Sequence, residues 1–211
     1  MNNVKLFGHR CLVEFHRMQT ESKIVIPDAA RQHDSHRLGI VRYLGDGRIK
    51  NQAEPKAPLV KVGDVVMFQI NQIMEATQTF VHEGKHCMNL LQEELIARVN
   101  GDDLSVDNME MLGDYALLKH FMREQEGSVI VLPESVARQS APDFIYFRLV
   151  KKGTAIDLPI HEGQHLVVNH GRLTPMFIIK RHANGTSENQ EYCYTRKDWI
   201  DGVVEESSAT A

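Results

Sequence analysis

The chain has 211 residues, of which 42% are apolar and 25% charged, and its formal net charge is −4. This is the composition of a soluble globular protein of one or two domains, without the basic footprint that nucleic acid requires. No apolar run approaches the ~18 residues of a membrane span. Met1-Asn2-Asn3-Val4-Lys5 lacks the apolar core of a secretory signal. Cys11, Cys87 and Cys193 are too few and too scattered for a disulfide framework, so a reducing cytoplasm is expected.

From the N-terminus, Gly8-His9-Arg10 leads into Cys11-Leu12-Val13-Glu14-Phe15, a short strand-like run. A polar stretch follows and ends in the apolar triplet Ile24-Val25-Ile26, closed by Pro27. Gly39-Ile40-Val41-Arg42-Tyr43-Leu44 reads as a second strand, followed by the turn chemistry of Gly45-Asp46-Gly47-Arg48 and a polar segment to Leu59. Val62-Gly63-Asp64 introduces the strand Val65-Val66-Met67-Phe68. Phe80-Val81-His82 and His86-Cys87-Met88-Asn89-Leu90 flank a turn at Glu83-Gly84-Lys85. The best helical candidate is Leu90 to Val99, two turns at most. The acidic, polar segment 100–108 suits an exposed linker.

The order then repeats. Gly8 maps to Gly113 and Ile24 to Ile130, in Ile130-Val131-Leu132-Pro133. Arg42 maps to Arg148, Val62-Gly63-Asp64 to Glu162-Gly163-Gln164, and Glu94-Leu95-Ile96 to Asp198-Trp199-Ile200. Such self-similarity sets the architecture: all-β, as two tandem small β-barrels. The polar segment Asp46 to Pro58 has only Lys151-Lys152-Gly153-Thr154 as its counterpart.

These residues give the chain a specific likeness. The opening strand, the polar loop with its apolar triplet, Gly39-Ile40-Val41 before Gly45-Asp46-Gly47-Arg48, Lys61-Val62-Gly63-Asp64-Val65-Val66-Met67-Phe68 and Glu93-Glu94-Leu95-Ile96-Ala97-Arg98-Val99 together resemble the GroES family of co-chaperonins over residues 4–99. Residues 109–204 are similar but more diverged.

The resemblance implies two tandem GroES-like irregular β-barrels. The first would span residues 1–99 and carry a mobile loop and a roof hairpin. A linker, 100–108, would lead to a second barrel at 109–204 with a reduced roof, and 205–211 would be a disordered tail. It further implies a non-enzymatic ring that caps a GroEL-type chaperonin and encloses an unfolded client, with no cofactor of its own. The loops would run over about 17–34 and 123–140. Ile24, Val25 and Ile26, with Ile130, Val131 and Leu132, would dock on the chaperonin. Two departures stand out. Ser22-Lys23 and Gly127-Ser128 replace the usual glycine pair before each triplet, and the second roof is missing. A structural or assembly protein, phage-related for example, that reuses the fold without capping is the alternative.

His82-Glu83-Gly84-Lys85-His86 and His161-Glu162-Gly163-Gln164-His165 both match the zinc-protease pattern H-E-x-x-H. That pattern needs a helix, which puts residues four apart on one face. Both contexts read as turns between strands, and a central glycine costs a helix about 1 kcal/mol. Solvated turn residues are therefore expected, with adventitious metal binding by His82, His86 and Cys87 as the alternative and no resident metal.

Overall fold

The computed structural model describes residues 4–16, 36–70, 78–101, 104–120, 145–181 and 187–204. The chain divides into two units, Met1–Gly113 and Asp114–Ala211. Among the described residues the regular structure is strands joined by turns and short 3-10 segments, so the fold is all-β.

In the first unit the strands are β1 (Arg10–Phe15), β2 (His36–Leu44), β3 (Val65–Gln69), β4 (Thr79–His82), β5 (Lys85–Leu91), β6 (Leu95–Val99) and β7 (Met109–Met111). They form one antiparallel sheet in the order β4-β5-β1-β2-β3-β6-β7. The second unit has β8 (Tyr115–His120), β9 (Ile145–Lys152), β10 (His165–Val168), β11 (Thr174–Arg181), β12 (Ser187–Arg196) and β13 (Ile200–Val203), in the order β11-β12-β8-β9-β10-β13. Strand for strand the second order copies the first, except that β7 has no counterpart among the described residues of the second unit. Neither sheet closes on itself, so the expected barrels are open antiparallel sheets curled around a core.

The repeat extends to irregularities. β1 shifts register against β2 between Leu12 and Val13, and β8 against β9 between Leu117 and Leu118. β3 shifts against β6 between Met67 and Phe68, and β10 against β13 between Val167 and Val168. Each shift adds local twist, which helps a sheet to curl. Before β3, Gly63 (φ 96°) donates its N–H to the Val41 carbonyl at 2.8 Å. Before β10, Gly163 (φ 90°) does the same to Leu149 at 2.7 Å. Both turns need the left-handed backbone that glycine adopts without a Cβ penalty.

Two registers of the repeat differ from the sequence expectation. The paired turns align Val41 with Leu149, so Ile40, not Arg42, corresponds to Arg148. The 3-10 turns Gln92–Glu94 and Lys197–Trp199 align Leu95 with Ile200, so Trp199, not Asp198, stands in the place of Glu94. The helical candidate 90–99 is the end of β5, this 3-10 turn and β6.

Met109–Met111, expected to open the second barrel, pairs with β6 as the last strand of the first sheet. The segment before it closes a loop, with the Asn100 N–H donating to the Asn108 carbonyl at 2.7 Å.

Each unit has its own core. The first is built from Cys11, Val13, Val41, Val60, Val66, Phe68, Met88, Leu90, Leu95 and Leu112. The second uses Ala116, Leu118, Phe147, Leu149, Ile156, Ile160, Leu166, Val168 and Cys193, with Ile200 packed against them. Alternate residues of β1 (Cys11, Val13) and of β8 (Ala116, Leu118) supply one face, as a pleated strand requires.

Candidate functional site

The segments expected to dock are the connections between the first two strands of each unit, β1 to β2 and β8 to β9. Ile24, Val25, Ile26, Ile130, Val131 and Leu132 lie outside the described residues.

The loop expected to form the roof, between β2 and β3, is described in full. Its base is fixed by a short set of polar contacts. Gly45 donates its N–H to the Arg10 carbonyl at 2.8 Å, and Gly47 to Gly8 at 3.0 Å. Lys56 closes the loop by donating to the Gly47 carbonyl at 2.9 Å. The Asp46 carboxylate accepts from the Gly8 N–H at 2.8 Å and from the Arg48 N–H at 3.1 Å. These two bonds hold its carboxyl below the usual aspartate range.

The far side of the loop rests on the 3-10 turn between β5 and β6. The Leu59 N–H donates to Gln92 Oε1 at 2.8 Å, and Gln92 is itself 1% exposed. His9 is 3% exposed, and its ring bridges the Glu93 carboxylate (Nδ1, 2.8 Å) and the Ala57 carbonyl (Nε2, 3.0 Å). Lys56 Nζ reaches the same Glu93 oxygen at 2.5 Å. Burial works to raise the Glu93 carboxyl, but its hydrogen bonds from Lys56, its own backbone N–H and His9 leave it below the ordinary range. The tip, from Asn51 to Pro58, is exposed. The product is an exposed polar loop on a hydrogen-bonded base, of which His9 and Gln92 are the buried part.

The second unit keeps the anchor and loses the loop. Gly153 donates to the Tyr115 carbonyl at 2.8 Å, as Gly45 does to Arg10, and Lys197 N–H donates to Asp114 at 2.9 Å, as Gln92 does to His9 at 3.0 Å. From Gly153 the chain runs through Ile156 directly to the buried Ile160, the counterpart of Val60. Lys197 Nζ meets Asp157 Oδ1 at 3.4 Å across this short connection. The importance of His9 and Gln92 was missed in the sequence. Each is a polar residue beside a turn, and only the fold brings them under the loop.

The two H-E-x-x-H matches are turns. His82 and Lys85 pair across a two-residue hairpin turn in which Glu83 (φ 50°) and Gly84 (φ 76°) are left-handed. His86 pairs with Val81, which puts His82 and His86 on opposite faces of the ribbon. His82 packs edge-on against Tyr43, with ring centroids 5.6 Å apart. In the second match the His161 N–H donates to Gln164 Oε1 at 2.7 Å. This repeats the bond from the Lys61 N–H to Asp64 Oδ2 at 2.8 Å. Among the described residues no group of three or more His, Cys, Asp or Glu is arranged to hold a metal ion.

A sheet with this order and an anchored loop between its second and third strands fits a GroES-like β fold. The family model for the chaperonin 10 Kd subunit matches residues 3–99. Co-chaperonin GroES of Anoxybacillus flavithermus is 32% identical over 98 residues, which covers 44% of this chain and 96% of that protein. Co-chaperonin GroES of Burkholderia cepacia is 37% identical over 82 residues (39% of this chain, 78% of the relative). That of Staphylococcus haemolyticus is 38% identical over 68 residues (31% and 70%). The chain belongs to the chaperonin 10 kDa, or GroES, family of co-chaperonins.

Proposed function

We propose that this protein caps a GroEL-type chaperonin and assists ATP-dependent folding of an enclosed client, acting in the cytoplasm as a ring without catalysis of its own. The observation that carries this reading is the family match over residues 3–99, supported by the anchored loop 45–60 in that same stretch. Among the described residues no helix is long and apolar enough to cross a membrane.

Docking falls to Ile24, Val25 and Ile26, and to Ile130, Val131 and Leu132. Burying one aliphatic side chain stabilises by roughly 1.5–3 kcal/mol. Ordering a loop costs about 1–2 kcal/mol for each residue fixed. A single loop therefore binds weakly, and several on one ring bind tightly because later contacts are intramolecular. The second unit acts as a second GroES-like module that contributes a docking segment but little roof. The short connection Gly153–Ile160 also favours an assembly protein that has given up capping. Complex formation with a GroEL-type chaperonin and ATP, followed by refolding of a stringent substrate, separates the two. A stable complex with increased refolding yield is expected. Absence of any complex sinks the capping role and leaves the assembly reading.

A further inference from the structure

The ring of His9 sits between two acceptors. Its Nδ1 lies 2.8 Å from a Glu93 carboxylate oxygen, and its Nε2 lies 3.0 Å from the Ala57 carbonyl oxygen. The side chain is 2% exposed, so the ring has little water to turn to. A backbone carbonyl accepts and cannot donate. Glu93 could donate only as the neutral acid. Despite its burial, its carboxyl is held below the ordinary range by bonds from Lys56, its own backbone N–H and His9. Both contacts therefore call for an N–H on the ring. The imidazolium has two, and the neutral ring has one.

Other charged groups stand around this ring. Arg10, Arg48 and Lys50 line one groove with His9 and Glu93. Lys56 Nζ shares the Glu93 oxygen that His9 meets, at 2.5 Å. Asp46 is tied to the Gly8 and Arg48 N–H groups, and Glu94 to the Leu91 N–H at 2.7 Å. Burial, then Glu94 and Glu93, push the Cys11 thiol up to about 12. Imidazole is the side chain that exchanges a proton in the neutral range. Asp46 and Glu93 are already ionised there, and Cys11 is still a thiol. The second unit has no such ring. Asp114 stands in the place of His9, as the matching N–H bonds from Lys197 and Gln92 show, and its carboxylate is 4.0 Å from Arg196 Nε. That unit also has no long loop to hold, since its connection runs from Gly153 directly to Ile160. The ionisable ring and the long loop occur together.

We infer that His9 is a proton-dependent latch on loop 45–60: the imidazolium joins Ala57 to Glu93, and loss of one proton opens the bond to Ala57. The acceptors decide which bond opens. A carboxylate holds an N–H more strongly than a carbonyl does, so the remaining proton stays on Nδ1. The Nε2 lone pair then faces the Ala57 oxygen, two acceptors with no hydrogen between them. The bonds from Leu59 to Gln92 and from Lys56 to Glu93 remain, so the loop loosens without leaving its base. This loosening comes with rising pH. It is opposite in sense to the acid loosening that follows from the lowered Asp46 and Glu93 carboxyls. The loop is therefore held most firmly between the two, above the carboxylate range and below the release of the His9 proton.

The latch belongs to the free protein, so its test needs no chaperonin and its failure leaves capping untouched. The full-length chain would be followed by NMR from about pH 5 to about pH 9, with the His9 ring and the Ala57 carbonyl carbon assigned through the backbone. At the acid end both ring nitrogens should carry a proton, and at the alkaline end only Nδ1 should. The Ala57 carbonyl shift should step at the same midpoint. Exchange of the Leu59 amide, corrected for its intrinsic rise with pH, should quicken by about threefold or more across that step. His9→Gln has no ionisable ring and should abolish both changes. The connection from Gly153 to Ile160 should show neither change in either protein. An Nε2 without a proton at the acid end, a ring that titrates with no step at Ala57, or a step that survives in His9→Gln would overturn the inference. If His9→Gln does not fold, the first two outcomes in the wild type still decide it.

Discussion

The first unit has a large loop on its β2–β3 connection and a glycine in its core wall; the second has a short connection and a phenylalanine there. Gly39 corresponds to Phe147, and Phe68 corresponds to Val168. A Cβ on Gly39 would lie 2.2 Å from Val13 Cγ1 and 2.7 Å from the Glu14 carbonyl, with the Phe68 ring at 3.1 Å. Phe147 is 4% exposed and packs where its neighbour is only a valine. The two units place their phenylalanine on different members of the same pair of neighbouring strands, β3 in the first and β9 in the second. Volume is what the copies hold in common, and side-chain identity is free to move.

The largest effect is expected from breaking that exchange. Gly39→Phe alone should destabilise the first unit by about 3 kcal/mol or more, through overpacking. Adding Phe68→Val should recover part of the loss if the first unit can adopt the packing of the second. Denaturant melts of the two variants check this, and a double variant no better than the single one would show that the exchange needs further changes.

The next effect concerns the loop base. Gln92→Ala leaves the Leu59 N–H without its partner and should cost about 1–3 kcal/mol locally. Hydrogen exchange at Ala57–Val60 should quicken, with no change in the second unit, whose short connection does not use this contact.

Acid should act on the same base. The Asp46 and Glu93 carboxyls are both lowered in the folded state. Their stabilisation is therefore complete above the ordinary carboxylate values and is lost as pH falls through the folded-state values. Loop 45–60 should loosen below about pH 4, the ordinary carboxylate range, with the change read from its backbone NMR shifts. His9→Gln should make the loss begin at higher pH, because Glu93 loses one of its partners.

The smallest effect is chemical. Burial pushes the Cys11 and Cys193 thiols up to about 12, and raises that of Cys87. None should react with a thiol reagent at pH 8 until the protein unfolds, in either unit.

Much of the fold was legible in the sequence because it is written twice. Gly63 and Gly163 mark corresponding places that turn chemistry identifies, whereas the matching bulges in the two opening strands emerge only from the strand pairing. The errors are instructive. Arg42 and Arg148 share a residue type but not a place, because the register is set by backbone bonds at Val41 and Leu149. Met109–Met111 resembles the N-terminus of the first repeat and still belongs to the first sheet, since ownership of a strand is decided by hydrogen bonding across space. His9 and Gln92 carried no local signal. The triplets proposed to dock rest on resemblance and repeat, which put them in sequence between equivalent strands.

The central claim, that both units contribute a docking segment to one capping protein, is tested most directly by chaperonin affinity in the presence of ATP. Wild type, Ile24→Ser/Ile26→Ser, Ile130→Ser/Leu132→Ser and the fourfold variant would be compared. Weakening of tenfold or more by each pair and loss of binding in the fourfold variant is the expected result. A fourfold variant that binds like wild type would contradict it.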